Sequence, residues 1–406
     1  MLDKRIKKVS VLGLGYIGLP TAALLASEGY EVLGMDVNQA VVETINRGEI
    51  HIVEPDLEAY VSSAVSNGLL KAFRSVQPAD IYMICVPTPF HSSGGIPTPN
   101  IDYVKTATEN IAPHIKTGDI LILESTSPVG TTDLIKDMLL EQGVDLDGVH
   151  IAYCPERVLP GLIMTELVQN DRVIGGINES STIAVADFYR SFVKGGILQT
   201  QAKTAEMCKL TENSFRDVNI AFANELSIIC ASNGVDVWEL IKLANHHPRV
   251  NILQPGTGVG GHCIAVDPWF IVSADPLNSK IIKQARQVND SKPNWVVERI
   301  CQRAKETEII KPKIACLGLA FKPDIDDLRT SPAIVVASAL MELNMDVVCV
   351  EPNIEAHPYF SIVSLDYALK YADVIVVLVG HKEFKVEVNL QLLRRAKALD
   401  FCGIIS

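Results

Sequence analysis

Short apolar runs alternate with amphipathic stretches along the first half of the chain. Strands separated by helical segments are typical of βαβ units, in which neighbouring strands are parallel. The predicted strands are residues 8–13, 30–35, 79–86, 119–124 and 150–154, and an Ala- and Leu-rich helix is predicted over residues 19–27. We therefore expect a doubly wound α/β domain over residues 1–200.

The middle of the chain has a helical pattern that continues without proline or glycine over residues 203–233. Its apolar residues recur at helical spacing, and at 1.5 Å per residue the helix would be about 45 Å long. A helix of this length usually ties two domains together or forms a dimer interface. We predict a central helical, dimer-forming domain over residues 201–293, in which residues 237–245 follow the long helix.

A second alternation of strands and helices follows Pro293. We predict a linking helix over residues 295–307, and then the strands and helices of a domain over residues 294–406. The strands are residues 313–317, 346–350 and 374–379, and the helices are residues 333–343 and 365–372. No dinucleotide glycine motif occurs here, which favours a nucleotide or sugar site over a second NAD site. The fold class predicted is α/β, with two Rossmann-like doubly wound domains joined by a long central helix and a small helical domain.

The amino-acid composition and net charge restrict the classes of function that the protein can have. The 406 residues are 48% hydrophobic and 21% charged, which is ordinary for a globular protein, and their net charge of −12 argues against a nucleic-acid partner. No apolar run reaches the roughly 18–20 residues that would cross a membrane. The nine cysteines are scattered, without Cys-x-x-Cys or zinc spacing. We expect a cytoplasmic protein without a metal.

A glycine motif joins the first predicted strand to the first helix. Gly13, Gly15 and Gly18 match G-x-G-x-x-G, and Asp36 closes the next strand. In such a motif the glycines allow a tight turn, close approach to a pyrophosphate and close helix–strand packing, while the acid accepts hydrogen bonds from the ribose. The pattern predicts NAD rather than NADP; the alternative is a structural βαβ unit without a cofactor.

Polar residues follow several strands of the first domain. Thr88 and Thr126 stand where ligands lie in open parallel sheets, although each could equally be a turn or N-cap residue. Glu156 and Arg157 end a later strand, where such a pair is more often a salt bridge than a catalytic group. In the last domain, Lys322 and a nearby arginine follow the first strand and could bind a pyrophosphate.

The most unusual stretch is residues 254–268, in which four glycines fall within six residues just before Cys263. Glycine runs of this kind serve close approach or positive φ. The segment could present a thiol nucleophile to a small molecule, with Asp267 four residues later; the alternative is a glycine-rich turn with a buried cysteine. Lys209 and Asn213 share one face of the long helix, although Lys209 alone more often faces solvent.

In order along the chain, a dinucleotide fold, Pro-Glu-Arg, Lys-x-x-x-Asn, Gly-x-Gly-Gly-x-Cys and Ala-Phe-Lys…Asp-x-Arg resemble the nucleotide-sugar 6-dehydrogenase family, which includes UDP-glucose and GDP-mannose dehydrogenases. The resemblance covers essentially the whole chain. Residues 154–161, 206–219, 247–255 and 260–270 favour the branch that oxidises UDP-N-acetyl-D-mannosamine. Two departures argue against UDP-glucose: Val266 replaces the lysine of Cys-x-Pro-Lys-Asp, and Pro160 replaces a second glutamate.

The resemblance implies a mechanism and a set of site residues. The C6 alcohol would be oxidised twice with NAD, through a thiohemiacetal and a thioester on Cys263. Lys209 and Asn213 would stabilise the oxyanion. Asp267 and Glu156 would handle protons and water, and Thr126 would hold a water or the substrate hydroxyl. Residues resembling NAD contacts are Gly13, Gly15, Tyr16, Ile17, Gly18, Asp36, Thr88, Thr126 and Arg329. Residues resembling nucleotide-sugar contacts are Glu156, Arg157, Val158, Leu159, Lys209, Asn213, Arg249, Gly256, Gly260, Gly261, Phe321 and Lys322.

Other functions stay open on the sequence. The same chemistry could act on UDP-N-acetylglucosamine or another nucleotide sugar. A two-electron hydroxy-acid dehydrogenase would need the first domain but not Cys263, and an NAD or sugar-nucleotide sensor would need no catalytic set. The long helix predicts a homodimer.

Overall fold

A computed structural model of the chain describes residues 7–91 and 95–405. The chain divides into two compact units, Met1–Thr211 and Glu212–Ser406. Each contains a sheet with parallel pairing and helices, so the predicted fold class is confirmed. None of the helices in the described ranges is both long and apolar enough to cross a membrane.

The sheet of the first unit has eight strands in the order β10-β9-β8-β7-β4-β1-β2-β3. The strands are β1 Lys8–Leu12, β2 Glu31–Met35, β3 Leu70–Phe73, β4 Ile81–Ile84, β7 Ile120–Leu123, β8 His150–Tyr153, β9 Arg172–Gly176 and β10 Ile197–Gln201. A separate hairpin pairs β5 Phe90–His91 with β6 Thr98–Pro99. The five strands predicted for this unit are confirmed with slightly different ends.

Helices cover both faces of this sheet. Val9 and Val11 of β1 belong to one apolar core, and Leu12 belongs to the other. Burial on both faces makes the strands continuous apolar runs, which is why they could be predicted. The helices are α1 Gly18–Ser27, α2 Gln39–Asn46, α3 Leu57–Ser66, α4 Asp102–Ile111, α5 Thr131–Glu141, α6 Ile163–Gln169, α7 Glu179–Tyr189 and α8 Ala202–Asn233; α8 contains the boundary between the units.

One pairing in this sheet departs from the parallel pattern. Strand β9 runs antiparallel to β8, with Ala152 opposite Gly176 and Tyr153 opposite Gly175. The connection through α6 therefore leaves and re-enters the sheet on the side where β8 ends. As a result, Arg172 at the start of β9 lies beside the C-terminal end of β8.

The glycines of the G-x-G-x-x-G motif have different steric roles. A Cβ on Gly13 would lie 2.7 Å from the carbonyl oxygen of Cys85, and Gly13 has a φ of +89°. A Cβ on Gly18 would lie 1.8 Å from the carbonyl oxygen of Gly13, which leaves no room for any side chain. A Cβ on Gly15 would meet no atom within 4 Å. Gly13 and Gly18 are thus required by the fold itself, whereas Gly15 leaves open space in front of α1.

The second unit contains a four-stranded sheet of order β12-β11-β13-β14. Its strands are β11 Lys313–Leu317, β12 Asp346–Val350, β13 Val374–Val377 and β14 Leu399–Asp400. Its further helices are α9 Val237–Ala244, α10 Asp267–Ala274, α11 Lys280–Glu306, α12 Pro332–Glu342, α13 Leu365–Tyr371 and α14 Glu387–Arg395. The strands and helices predicted from residue 313 onward are confirmed, with shifts of one or two residues at their ends.

The predicted start of the linking helix at residue 295 is wrong, because α11 begins at Lys280 and includes Pro293. A proline inside a helix removes one backbone hydrogen bond, so the sequence favours a boundary there. Buried polar contacts outweigh this penalty. On α8, Asp217 accepts hydrogen bonds from Arg286 Nη1 at 2.6 Å and from Asn289 Nδ2 at 2.8 Å. These contacts hold the first half of α11 in the helix.

The acidic residue that follows the second strand has different surroundings in the two Rossmann-like sheets. Glu351 follows β12 and is buried, and its Oε2 accepts the N–H groups of Leu319 and Ala320 at 2.7 and 3.0 Å. His381 Nδ1 accepts the N–H of Asp324, so its proton lies on Nε2, which donates to Glu351 Oε2 at 3.0 Å. Burial opposes ionisation, but the hydrogen bonds from His381 and the backbone lower the pKa of Glu351 to about 2.

The glycine geometry predicts opposite effects for two alanine substitutions. Gly18→Ala should destabilise the first unit by about 2–3 kcal/mol, because the backbone must move to admit the methyl group. Gly15→Ala should leave thermal unfolding unchanged and weaken NAD binding about tenfold or more, because the methyl fills the space that a pyrophosphate needs. Calorimetric melting and NAD titration measure the two effects. Equal destabilisation by both substitutions would contradict this assignment.

The Glu351 carboxylate should make the stability of the second unit depend on pH. Its pKa is about 2 in the folded chain and about 4.3 when unfolded. Its stabilisation is therefore complete above pH ~4.5 and disappears as the pH falls toward 2. Glu351→Gln should cost about 2 kcal/mol at pH 7 and much less at pH 3.

Urea unfolding followed by tryptophan fluorescence measures this effect, because all three tryptophans, at positions 238, 269 and 295, lie in the second unit. The exposed Glu342, at the end of α12, provides the control Glu342→Gln, which should change neither curve. A cost for Glu351→Gln that is the same at both pH values would contradict the assigned role of the carboxylate.

Candidate active site

The edge of the first unit around Asp36 has the features of a dinucleotide site. Asp36 is half-buried; its Oδ2 accepts the N–H of Leu14 at 3.0 Å, and its Oδ1 accepts the N–H of Asn38 at 2.9 Å. Tyr16 is exposed, and Ile17 precedes the first residue of α1. The open space at Gly15, beside the N-terminus of α1, suits a pyrophosphate. The residues present thus fit NAD.

His51 also lies at this edge, although nothing in its sequence context indicates it. Burial lowers the pKa of His51, while the nearby Asp36 carboxylate and a hydrogen bond to the Leu14 backbone oppose the shift. Only the fold brings His51 beside Asp36, because the two are separated by α2 in the chain.

The structure brings Thr88 and Thr126 together, because β4 and β7 are neighbours and both residues follow these strands. Thr88 Oγ1 donates a hydrogen bond to the backbone oxygen of Thr126 at 2.5 Å. The adjacent Ser125 Oγ donates to the backbone oxygen of Val86 at 2.7 Å. Both threonine side chains are half-buried. The Thr88 hydroxyl thus helps to order the loop that presents Thr126.

Glu156 is a buried carboxyl at the end of β8 with an incomplete set of partners. Its Oε2 accepts the N–H of Val158 at 2.7 Å, and its Oε1 lies 3.9 Å from Nη1 of the buried Arg172. Lys209 Nζ donates to the backbone oxygen of Glu156 at 2.7 Å. Burial raises the pKa of Glu156, and the charge of Arg172 opposes that rise. Such a carboxyl is a candidate general acid or base.

Arg172 is a site residue that the sequence did not reveal. Continuing the antiparallel register of β8 and β9 places position 172 opposite position 156. The guanidinium also lies over the ring of Tyr189, whose hydroxyl hydrogen-bonds Glu124 Oε1 at 2.5 Å. The contact between Arg172 and Glu156 follows from the direction of β9, which no local sequence pattern encodes.

The segment after Glu156 is held by two glutamates that no local pattern in the sequence indicates. Glu54 is buried and accepts the N–H groups of Gly161 and Ile163, each at 2.8 Å. Glu166 Oε2 accepts the N–H of Leu159 at 2.7 Å. Arg157 Nη1 donates to the backbone oxygen of Asp171, and Val158 is half-buried. Residues 157–159 therefore present an ordered backbone.

In the second unit, the glycine loop presents Cys263 at the surface. All nine cysteines lie within the described ranges. Cys263 is exposed, whereas the other eight are buried or half-buried. Its backbone oxygen accepts the N–H groups of Val266 and Asp267 at 3.0 and 2.8 Å, in a turn that leads into α10. By contrast, burial raises the pKa of the Cys154 thiol to about 12, which makes it unreactive.

The glycines of this loop allow close packing, as their number predicts. The N–H of Gly256 donates to Asn224 Oδ1 at 2.8 Å. A Cβ on Gly260 would lie 2.5 Å from the backbone oxygen of Thr330, and one on Gly261 would lie 2.8 Å from the ring of Phe321. Phe321, a predicted substrate contact, therefore packs directly against the loop.

The structure also brings Asn213 and Asp267 together. Asn213 Nδ2 donates to Asp267 Oδ2 at 2.5 Å, and both side chains are buried. Asp267 is the first residue of α10 and lies four residues after Cys263. The amide and the carboxylate thus form one pair, of which only Asp267 is close to Cys263 along the chain.

The predicted cationic side chains of the second unit lie in loops outside its helices and strands. Arg329 is exposed and pairs with Asp327, with Nη2 and Oδ2 2.7 Å apart, and His262 Nε2 lies 3.9 Å from the same oxygen. Lys322 is half-buried, and Arg249 is exposed beyond α9. No hydrogen bond joins Arg249 to the glycine loop in the described part of the chain.

Metal binding receives no support from the geometry. Within residues 7–91 and 95–405, no group of three or more His, Cys, Asp or Glu side chains is arranged to hold an ion. The Glu351 carboxylate of the second Rossmann-like sheet already accepts hydrogen bonds from the backbone N–H groups of Leu319 and Ala320 and from His381.

Three family models match consecutive parts of the chain. Residues 7–193 match the NAD binding domain of the UDP-glucose/GDP-mannose dehydrogenase family. Residues 203–291 match the central domain of that family, and residues 315–406 match its UDP binding domain.

Relatives and solved structures match over nearly the full length. An Escherichia coli (strain K12) protein named UDP-N-acetyl-D-mannosamine dehydrogenase is 53% identical, covering 98% of both chains. A Ralstonia nicotianae protein named NDP-N-acetyl-D-galactosaminuronic acid dehydrogenase is 52% identical, covering 100% of this chain and 98% of the other. The structure of the Pyrococcus horikoshii UDP-D-ManNAc dehydrogenase matches with a TM-score of 0.90 and 38% identity, over 98% of this chain and 96% of that one.

The family models, the relatives and the fold agree with the geometry of the glycine motif, Asp36 and the thiol loop. The chain therefore belongs to the UDP-glucose/GDP-mannose dehydrogenase family, and it is an NAD-dependent oxidoreductase.

Proposed function

We propose that this enzyme oxidises the C6 alcohol of UDP-N-acetyl-D-mannosamine to the carboxylate, with two NAD⁺ per sugar and a covalent intermediate on Cys263. The observation that carries the proposal is an exposed thiol at the end of a glycine loop, four residues before the Asp267–Asn213 pair. The full-length relatives named for this substrate support the choice of sugar.

The thiol carries the covalent part of the reaction. The glycine motif and Asp36 would hold NAD⁺, which would supply the hydride acceptor for each of the two oxidations. The Cys263 thiolate adds to the C6 aldehyde and forms a C–S bond, giving a thiohemiacetal. Its oxidation leaves a thioester, and water then breaks the C–S bond, releasing the carboxylate and restoring the thiol. The aldehyde stays bound to the protein between the two oxidations.

The polar residues predicted from the resemblance have distinct roles in this proposal. Lys209 and Asn213 stabilise the oxyanion that forms at C6, as preorganised donors do in acyl transfer. Asp267, which accepts a hydrogen bond from Asn213, orients that amide and takes up protons together with Glu156. Burial raises the pKa of Glu156, which suits a carboxyl that must both accept and donate a proton. Thr126 holds the hydrolytic water or the substrate hydroxyl.

Each of the three predicted domains has its own role in the proposed reaction. Residues 1–200 bind NAD, residues 201–293 supply the long helix and the thiol loop, and residues 294–406 bind the UDP moiety. Among the predicted contacts, Phe321 and Lys322 belong to the nucleotide end, and Arg329 contacts NAD. The satisfied Glu351 carboxylate supports a nucleotide rather than a second dinucleotide on the last sheet.

Another N-acetylhexosamine nucleotide is the alternative substrate. The Ralstonia relative named for N-acetyl-D-galactosaminuronic acid favours this alternative, since it is 52% identical over the whole chain. Val266 and Pro160, which replace family residues of UDP-glucose enzymes, argue against UDP-glucose. A two-electron hydroxy-acid dehydrogenase or a sensor would not need the thiol loop.

A homodimer through α8 completes the proposal. Phe215, Phe222 and Ile229 follow one another at intervals of seven residues on this helix, and their side chains are 67%, 53% and 49% exposed. Seven-residue spacing places them on one face, which is the pattern of a helix that packs against a second helix. We propose that the α8 helix of a second copy covers this stripe.

The nine cysteines form no disulfide, which supports a cytoplasmic location.

The stoichiometry of the reaction tests the mechanism. Wild-type enzyme should release two NADH per UDP-N-acetyl-D-mannosamine, measured by absorbance and by quantifying the acid product. Cys263→Ser should slow NADH release at least about a hundredfold, because the hydroxyl is a far weaker nucleophile at neutral pH. Cys301→Ser, at a half-buried cysteine of α11, serves as the matched control and should keep full activity.

One NADH per sugar with an unaffected Cys263→Ser variant would contradict the covalent mechanism and favour the two-electron dehydrogenase. Turnover only with another nucleotide sugar would keep the chemistry and correct the substrate. NAD binding without turnover of any nucleotide sugar would favour the sensor.

A charge in the stripe on α8 tests the dimer. Light scattering should give twice the chain mass of 44.3 kDa for the wild type. Phe222→Glu should give a monomer, because it places a charge within an apolar interface. Tyr359→Glu, at a residue that is 79% exposed and lies outside α8, is the control and should stay dimeric. A dimeric Phe222→Glu protein would place the interface elsewhere.

A further inference from the structure

Thr330 adopts a backbone conformation that its residue type disfavours. Its φ is +52°, and it is the β-branched residue among the six non-glycine residues with positive φ in the described part of the chain. Branching at Cβ makes the left-handed region especially costly. Such a conformation persists only where surrounding contacts enforce it, and it often marks a functional position.

The contacts of Thr330 show what its side chain does. Thr330 Oγ1 accepts the N–H of Gly261 at 2.9 Å. The hydroxyl hydrogen can be donated to the backbone oxygen of Arg329, at 2.7 Å, or of Gly261, at 3.3 Å. The side chain thus binds a glycine two residues before Cys263.

The backbones of the two loops are also in direct contact. A Cβ on Gly260 would come within 2.5 Å of the Thr330 backbone oxygen. Gly261 has a φ of +87°. Glycine adopts positive and negative φ about equally readily, so Gly261 does not by itself enforce the observed shape of the thiol loop. Ser331, the next residue after Thr330, caps α12 through a hydrogen bond to the Ala333 N–H, which anchors the Thr330 loop to a helix.

We propose that Thr330 is the positioning residue for Cys263: its hydroxyl fixes Gly261 and thereby the direction in which the loop presents the thiol. This inference rests on the proposed nucleophilic role of Cys263. A glycine at position 330 would adopt the same φ without strain but could not make the hydrogen bond. The presence of a strained threonine at this position therefore points to the hydroxyl as the group that matters.

The test compares three variants with the wild type. Thr330→Ser keeps the hydroxyl, Thr330→Ala removes it, and Thr330→Gly removes it while relieving the positive φ, so that at least one variant without the hydroxyl folds. Hydrogen–deuterium exchange of the peptide spanning residues 256–266 reports the Gly261 N–H directly. Steady-state kinetics with UDP-N-acetyl-D-mannosamine, or with the nucleotide sugar that the enzyme turns over, report the thiol.

Without the hydroxyl, exchange in this peptide should be at least about tenfold faster. The kcat should fall roughly 10- to 100-fold because a nucleophile displaced by about 1 Å loses that much. Thr330→Ser should restore both readouts to within about twofold of the wild type. Asn344→Gly, which relieves a φ of +58° at the end of α12, is the control for strain and should resemble the wild type.

Three results would overturn the inference. Unchanged exchange in Thr330→Ala would mean that the hydroxyl does not hold the loop. Faster exchange with an unchanged kcat would mean that the fixed loop is not needed for the thiol. Equal losses in Thr330→Ser and Thr330→Ala would assign the effect to the methyl group. The exchange experiment decides whether Thr330 holds the loop even if Cys263→Ser proves fully active, so the two proposals can fail separately.

Discussion

The second unit depends on one buried carboxylate, Asp217, in the middle of α8. It accepts hydrogen bonds from Arg286 and Asn289, and Asn289 in turn accepts one from Asn224, which binds the N–H of Gly256. Burial raises the pKa of Asp217, and the charge of Arg286 opposes that rise. An unpaired charge in this position would be very costly, so the chain of contacts must form as a whole. It fixes α11 against α8 and anchors the start of the thiol loop.

The loop that follows is controlled at both ends by different elements. Asn224 holds Gly256 at its start, Thr330 holds Gly261 near its end, and α10 begins only four residues after Cys263. Glycines permit this path because the neighbouring backbone and the Phe321 ring leave no room for side chains. The same lack of side chains means that the loop cannot hold its own shape. The residues around it therefore determine where the thiol points.

The two Rossmann-like sheets differ in the surroundings of the acidic residue that follows their second strand. In the first, Asp36 accepts two backbone N–H groups but stays partly accessible, beside the open space at Gly15. In the second, Glu351 is buried, bound by two N–H groups and by His381. A carboxylate that is already saturated stabilises the loop, whereas a half-buried one can still bind a ribose. The difference lies in burial and partners rather than in the position of the acid along the strand.

The sequence by itself determined eight of the twelve strands in the two sheets, the long helix and the dinucleotide motif, because each is a local pattern: an apolar run, a helical period, or glycines at set spacing. It also identified the thiol loop as a segment that no regular element would adopt. Only the tertiary structure decided that β9 is antiparallel, which places Arg172 beside Glu156. It also decided that α11 continues through Pro293 and that Thr330 binds Gly261. These features depend on contacts between residues far apart in the chain, and no local pattern encodes such contacts.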